Sequence, residues 1–185
     1  QKQGVIILNN STVETYTEQF NNVAIKTNHF EFSSAKLILT TNGFAQQLIN
    51  EDVQPARAQA LITKPIKNLN IKGTFHLDCG YYYFRNIDNR ILLGGGRNLD
   101  FDSENTTEFS QTDRIQNALE TLLKNTILSN REFEIEHRWS GIMGVGSQKK
   151  PIVKQLSNHV YCGVRMGGMG IAIGSTIGRE VADFF

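Results

Sequence analysis

Closely spaced glycines near the end of the chain are its most distinctive chemical feature. A short apolar segment, Val160–Val164, is expected to form a strand that leads into the turn Gly167, Gly168, Met169 and Gly170, and a helix is expected to follow to the last residue. The first amides of a helix have no partner within the helix, and the helix dipole favours negative charge there. This segment therefore predicts a binding site for an electron-rich group: a phosphate, a carboxylate or a ring carbonyl of a cofactor.

Glycine recurs at every fourth position of the expected helix, at Gly170, Gly174 and Gly178. These positions lie near one stripe of a helix, and each internal glycine costs roughly 1 kcal/mol relative to alanine. The repeat predicts a large group close to the helix backbone. Tight packing of the helix on a sheet is the alternative.

The glycine segment differs from the dinucleotide-binding fingerprint. That fingerprint is G-x-G-x-x-G followed by a second strand and an acidic residue. Gly174 comes one position late, and the sequence ends at Phe185 before a second strand could follow. The segment is therefore not a complete nucleotide-binding unit, and we expect these residues to be part of a longer protein.

Composition narrows the classes of function. The 185 residues are 39% hydrophobic and 20% charged, with a net charge of +1, which is typical of a soluble protein and argues against a dedicated nucleic-acid binder. No apolar run approaches the roughly 18 residues of a membrane span, and no signal peptide is evident, so a cytoplasmic location is the default expectation. The two cysteines and four histidines lack the spacing of a metal site, and we expect no metal.

Hydrophobic patterns predict the elements that position the turn. In the first part, strands are expected over residues 4–8, 12–16, 23–27, 30–32 and 36–41, with a short helix over 44–49. An antiparallel block is expected to follow, with strands over residues 57–63, 72–76, 81–85 and 90–94.

The next segment is expected to be an amphipathic helix and another strand. Ser110 or Thr112 is expected to cap the helix. The apolar stripe of the helix is Ile115, Leu119, Leu122, Leu123 and Ile127. Residues 131–139 are expected to form a strand that buries Phe133, Ile135 and His137, and residues 141–146 a glycine-rich loop.

The chain resembles the carboxyl-terminal half of the FAD-dependent oxidoreductases of the D-amino-acid oxidase, glycine oxidase and sarcosine oxidase superfamily. The resemblance runs through essentially the whole length, and the order and spacing of the matching segments are more specific than any one of them. These segments are AKLILTTNGFAQ (35–46), VQPARAQALIT (53–63), GYYYFRNIDNRILLGGG (80–96), HRWSGIMG (137–144) and VRMGGMGIAIG (164–174).

The resemblance implies an α+β fold in which segments of a FAD-binding domain flank a substrate domain with a mixed, antiparallel sheet and a helix. Residues 1–52 and 140–185 match the FAD-binding domain, and residues 53–139 match the substrate domain. The family's amino-terminal Rossmann portion, which holds the FAD pyrophosphate, has no match in this sequence. The resemblance therefore implies that FAD binds the full-length protein and is absent from, or weakly held by, this chain alone.

The resemblance also implies which residues approach the cofactor. Gly167, Gly168, Met169, Gly170 and Ile171 match the loop and helix start beside the flavin ring, where a helix amino terminus stabilises negative charge on the reduced ring. Val13 matches a strand residue beside the adenine, although a core valine is an equal alternative. Thr41 matches a strand end near the cofactor.

Substrate contacts are expected from the antiparallel block and the Trp-containing strand. Tyr83 and Arg85 share one face of their strand, whereas Tyr82 lies on the other. Arg97, His137 and Met143 are further candidates, and Arg138 and Arg165 are alternatively structural ion pairs.

The family's G-L-R-P segment, whose arginine holds a substrate carboxylate, is matched here by Gly141, Ile142, Met143 and Gly144. Methionine cannot pair with a carboxylate. Either Arg85 or Arg97 does so, or the substrate is not a simple amino acid.

Three functions remain open at this point. The first is a flavoenzyme that oxidises a C–N bond of an amine or amino acid by hydride transfer to FAD, with no catalytic residue identified. The second is a non-catalytic interaction or structural module, since the nucleotide unit is missing. The third is a phosphate or nucleotide binder that uses only the last helix.

Overall fold

The computed structural model describes residues 3–185, so the first two residues of the expected 1–52 segment lie outside the described part. The chain divides into two compact units, one formed by Gln1–Gln54 with Gly144–Phe185 and the other by Pro55–Met143. Strands and helices are mixed in sequence, and the sheets are mainly antiparallel. The expected α+β fold is confirmed.

The strands and helices of the described residues are as follows. The strands are β1 Val13–Glu18, β2 Val23–Thr27, β3 Glu31–Ser34, β4 Leu37–Leu39, β5 Gln54–Thr63, β6 Thr74–Leu77, β7 Tyr82–Ile87, β8 Arg90–Gly95, β9 Ile135–Val145, β10 Ile152–Gln155 and β11 Val160–Val164. The helices are α1 Phe101–Glu104, α2 Asp113–Leu122 and α3 Gly170–Ala182, with 3-10 turns at Asn42–Gln47, Asp78–Gly80 and Arg97–Leu99 and a π-helical extension at Leu123–Ile127.

The first unit contains two small sheets. Strands β1, β2 and β3 form an antiparallel meander, whereas β11 lies between antiparallel β10 and parallel β4. Every residue of β11 is buried, which agrees with its continuous apolar sequence. A Cβ at Gly163 would lie 2.7 Å from Val181 Cγ2 of α3. Close packing of this helix on the sheet therefore depends on a glycine of the strand.

The second unit is a five-stranded sheet in the order β6-β7-β8-β5-β9, with α2 on one face. Leu61, Phe84 and Leu93 are on the face that α2 covers, and they form one core with its apolar stripe. The predicted stripe is confirmed: Ile115, Leu119 and Leu123 are fully buried, and Leu122 and Ile127 pack at the edge of this core.

A buried polar network joins β5 to the helices of the second unit. Arg57 donates to both carboxylate oxygens of Glu104, at 2.9 and 2.8 Å. Gln59 donates to Glu104 at 2.9 Å and accepts from Gln116 at 3.1 Å. Thr112 stands at the start of α2, but its hydroxyl bonds within this network instead of capping the helix. The predicted side-chain cap at Thr112 is therefore wrong.

The predicted strand over residues 4–8 is also wrong. No strand of residues 3–185 pairs with it, and Val5, Ile6, Ile7 and Leu8 are 54–84% exposed. An apolar sequence forms a strand only where a neighbour supplies hydrogen bonds, which local sequence does not report.

The Trp-containing strand begins and ends later than predicted. Residues 131–134 precede β9, and residues 141–145 belong to the strand, although a glycine-rich loop was predicted there. Gly144 is explained by close contact, since a Cβ there would lie 2.5 Å from Asn42 Oδ1. His137 was predicted to be buried with Phe133 and Ile135, but it is exposed.

Candidate functional site

The glycine turn lies where two parallel strands end. Because β4 and β11 run parallel, their carboxyl ends reach the same edge of the sheet. Thr41 and Asn42 follow β4, and the turn follows β11. The Asn42 side-chain oxygen accepts a hydrogen bond from the Met166 amide at 3.0 Å, so the two strand ends are joined directly.

The turn has the backbone conformation that its glycines permit. Gly167 and Gly168 have φ angles of 55° and 83°, in the left-handed region where a side chain is strained. The Gly167 amide donates to the Gly144 carbonyl at 2.9 Å, and the Met169 amide to the Met166 carbonyl at 2.8 Å. Met169 is 57% exposed, so the apex of the turn is open.

The start of α3 offers free donors and space. Within residues 3–185, the amides of Gly168, Gly170 and Ile171 donate to no backbone carbonyl. A Cβ at Gly170 would meet only Met166, at 3.7 Å. A ring carbonyl or anion with a flat apolar body, such as a flavin, therefore fits this turn by charge and by room.

The helical glycines further along α3 also face open space. A Cβ at Gly174 or Gly178 would meet nothing of the described chain within 4 Å. The alternative interpretation, that these glycines let the helix pack tightly on the sheet, does not hold within residues 3–185, because Gly163 of β11 has that role.

The other two predicted cofactor residues lie in the same unit. Thr41 is exposed at the strand edge where the turn lies, and its carbonyl accepts from the Phe44 amide at 2.9 Å. Val13 begins β1 in the meander and packs partly buried against the core of this unit. Their contact with a cofactor stays a prediction.

An ion pair braces the residue that precedes the turn. Arg165 Nη1 lies 2.7 Å from Asp52 Oδ2, and Arg165 Nε donates to the Lys150 carbonyl at 2.7 Å. Ser147 donates to Asp52 through its amide at 3.0 Å and its hydroxyl at 2.5 Å. These Ser147 hydrogen bonds, with Arg165, lower the pKa of Asp52. Arg165 thus forms the structural ion pair that the sequence left as an alternative, whereas Asp52 and Ser147 were not among the predicted residues.

In the second unit, Tyr83 and Arg85 lie on the face of the sheet opposite α2. Tyr83 pairs across the strands with His76 and Gly94. A Cβ at Gly94 would lie 2.5 Å from the Tyr83 hydroxyl, so this glycine makes room for the ring. Burial raises the pKa of Tyr83, and the phenol remains a protonated donor at neutral pH. With 37% of the residue exposed, a ligand can still reach it.

Arg85 is an exposed cation two residues along the same strand. Its backbone neighbours are Thr74 and Leu92. Within residues 3–185, its guanidinium has no hydrogen bond or ion pair. It is therefore available to pair with an anionic group.

Strand β9 adds further residues to this open face. Arg138 donates to Gln116 and Glu120 of α2, at 2.7 and 2.5 Å, so its side chain is on the helix side of the sheet. Alternation from Arg138 onward places Trp139 and Met143 on the other side. It is interrupted before Arg138, because Ile135 also packs against the core on the helix side, so the face of His137 stays a prediction. Trp139, which is 39% exposed, was missed as a site residue. The alternation from Arg138 could have indicated it.

The remaining two candidates lie elsewhere. Tyr82 packs on the helix side against the core that contains Ile115. Arg97 lies 4.7 Å from the Phe101 ring centroid and bonds Asn105, and burial lowers its pKa. The structure therefore gathers Tyr83, Arg85 and Met143 on one face and leaves Tyr82 and Arg97 off it, whereas His137 is exposed on a strand whose alternation is interrupted beside it. Their roles towards substrate stay predictions.

Parallel strands that end at a glycine turn, followed by an accessible helix amino terminus, are typical of proteins that bind a nucleotide-derived cofactor. Residues 1–184 match the family described as FAD dependent oxidoreductase. The chain belongs to this family, and the expected family is confirmed.

Individual relatives agree with this assignment. The chain is 23% identical to the probable oxidoreductase OrdL of Haemophilus influenzae, over 97% of the chain and 42% of that protein. L-proline dehydrogenase from P. horikoshii superposes with a TM-score of 0.80 at 19% identity, over 98% of this chain and 51% of that one. Glycine oxidase from Geobacillus kaustophilus gives 0.74 at 15% identity, over 94% and 47%. The chain thus spans about half the length of these relatives.

Two further properties of the described residues concern membrane-spanning helices and metal sites. Among residues 3–185, no helix is both long and apolar enough to cross a membrane. In the same range, no three His, Cys, Asp or Glu side chains are grouped to hold a metal ion.

Proposed function

We propose that this chain supplies the flavin-contacting turn and the substrate-binding face of an FAD-dependent oxidoreductase that oxidises a C–N bond of an amine or amino acid. The observation that carries the proposal is the unpartnered Arg85 beside Tyr83 on the open face of the sheet. A free guanidinium on the same strand face as a phenol hydroxyl is suited to binding a carboxylate. This favours an amino acid over a simple amine.

Arg85 takes the role that Met143 cannot have. Of the two arginines that the sequence offered as replacements, Arg97 stacks on Phe101 and bonds Asn105, whereas the guanidinium of Arg85 is free. Arg85 would hold the carboxylate through parallel N–H donors, and the Tyr83 hydroxyl would donate a further hydrogen bond. Trp139 and Met143 would pack against the apolar part of the substrate.

The cofactor is proposed to rest on the glycine turn. FAD, when bound, accepts the hydride from the substrate carbon. The part of this chain is to present the free amides of Gly168, Gly170 and Ile171 to an electron-rich edge of the ring. Because these donors are fixed by the start of α3, they stabilise negative charge without reorganisation.

The test uses the full-length protein with the variant Arg85→Met. Its KM for L-proline or glycine should rise about a hundredfold, since a charged hydrogen-bonded contact contributes roughly 1.5–3 kcal/mol. Pyrrolidine and methylamine, which lack the carboxylate, should be affected little. Arg90→Met is the matched control, because Arg90 is bound to Glu136 at 2.7 Å.

Three results would contradict the proposal. If Arg85→Met affected amino acids and amines equally, Arg85 would not bind the substrate carboxylate. A wild-type full-length protein without bound flavin would favour the non-catalytic alternative. A yellow protein that no amine or amino acid bleaches would remove C–N oxidation.

A further inference from the structure

The ion pair that precedes the glycine turn is part of a larger set of contacts, all within the first unit. Three chain segments meet at Arg165: the loop before β5 that contains Asp52, the loop with Ser147 and Lys150, and the end of β11. Arg165 Nη1 binds both the Asp52 carbonyl, at 2.9 Å, and its carboxylate, at 2.7 Å. One side chain therefore ties together the segments that surround the turn.

The backbone at Arg165 indicates that this arrangement is under constraint. Arg165 has a φ of 63°, which is uncommon for a residue with a side chain, and it is only 8% exposed. Such a conformation persists where surrounding contacts determine it. Here those contacts are the ion pair and the hydrogen bond to Lys150.

Close contacts leave this set little freedom. A Cβ at Gly146 would lie 2.4 Å from the Asp52 carbonyl oxygen and 2.6 Å from Arg165 Cδ. One residue beyond Arg165, the Met166 amide is held by Asn42 at 3.0 Å, and the Gly167 amide is held by Gly144 at 2.9 Å. The contacts thus continue from Asp52 to the first glycine of the turn.

We infer that Asp52, Ser147 and Arg165, with Asn42, form a positioning network that sets the conformation of the Gly167–Gly170 turn before any cofactor binds. The inference rests on the proposed function only in the identity of the group that the turn receives. None of the four side chains is placed in contact with that group. They act through the backbone of Arg165 and Met166, which leads into the turn whose next amides are free; the Gly167 amide is held in addition by the Gly144 carbonyl.

The first test is amide hydrogen exchange of the full-length protein without flavin. In Arg165→Met and in Asp52→Asn, the Met166 and Gly167 amides should exchange about tenfold faster, since a local opening of the turn controls their protection. The double variant should exchange no faster than either single one, because both remove the same contact. Arg138→Met, which breaks the 2.5 Å pair with Glu120 in the other unit, should leave the turn unchanged.

The second test uses the protein loaded with FAD. Arg165→Met should bind FAD about tenfold more weakly and shift its visible spectrum and reduction potential, because the donors at the ring edge are less well ordered. Arg138→Met should shift none of these properties.

The outcomes separate the inference from the proposed function. Unchanged exchange at Met166 and Gly167 in both single variants would overturn the inference. Uniformly faster exchange over the whole unit would also overturn it, since the pair would then only stabilise the fold. A further outcome is that the variants exchange faster only at the turn while the wild-type protein takes up no FAD. That result would support the network and contradict the proposed cofactor.

Discussion

Two arginine–carboxylate pairs, one in each unit, show how similar contacts can have different consequences. In the second unit, Arg57 and Glu104 are 5% and 1% exposed, and their 2.8 Å contact lies inside a network of amides and hydroxyls. In the first unit, the side chain of Arg165 is 9% exposed, but the side chain of its partner Asp52 is 44% exposed. Both side chains of the Arg57–Glu104 pair are buried, whereas only the arginine of the Arg165–Asp52 pair is buried.

The difference lies in what each carboxylate would do without its partner. Burial alone would raise the pKa of Glu104, but the hydrogen bonds from Arg57 and Gln59 lower it below its usual value. Without Arg57, this charge could not reach water. Asp52 could, because nearly half of its side chain is exposed. The enclosed pair therefore holds the fold, and the half-exposed pair adjusts a local conformation.

The largest effect should come from breaking the enclosed pair. In Glu104→Ala, Arg57 keeps its charge in a buried site without a carboxylate. The free energy of unfolding should fall by about 3–5 kcal/mol, measured by urea denaturation. Asp52→Ala should cost less than half of this.

The control for this prediction replaces both partners. The double variant Arg57→Met with Glu104→Leu leaves no unpaired charge and should recover much of the lost stability. A double variant as unstable as Glu104→Ala would show that the ion pair is not the source of the loss. Shape and packing around β5 would then explain it.

A smaller effect should separate charge from backbone at Arg165. Arg165→Gly and Arg165→Ala both lose the ion pair, but only alanine must keep a side chain at a φ of 63°. The alanine variant should be about 1 kcal/mol less stable than the glycine variant, by thermal unfolding. Equal stability of the two variants would mean that the backbone leaves the positive φ once the guanidinium is gone. The ion pair between Arg165 and Asp52 would then be the cause of that conformation.

Local patterns predicted much of this fold because their period matched how the residues are buried. Strand β11 has the predicted bounds of Val160–Val164, and α3 begins at the predicted Gly170. The split of Tyr83 and Arg85 from Tyr82 followed from alternation alone. These features are determined by residues close together in the sequence, so they could be predicted from it.

The errors occurred where distant contacts decide. Residues 4–8 have a strand-like sequence but no partner strand in the described chain. Gly141 and Gly144 indicated a loop, but both lie in β9, and Gly144 is small because Asn42 lies against it. Asp52 and Arg165 are 113 residues apart. No local pattern relates them, so the network around the turn could be found only from the structure.

The smallest effect is expected in the pH dependence of stability, where wild type should differ from the variant Asp52→Asn. The pKa of Asp52 is lowered from 3.8, mainly by the Ser147 hydroxyl and also by Arg165. A lowered pKa means that the folded state favours the charged form, so the contact stabilises the protein above the usual pKa and is lost as the pH falls through the lowered one. The difference in melting temperature between wild type and Asp52→Asn should therefore be constant above about pH 5 and shrink below about pH 4. The protection factor of the Met166 amide, which corrects for the intrinsic pH dependence of exchange, should fall over the same range in wild type and stay level in Asp52→Asn. A difference in melting temperature that persists at low pH would assign the effect to the shape of the side chain and not to its charge.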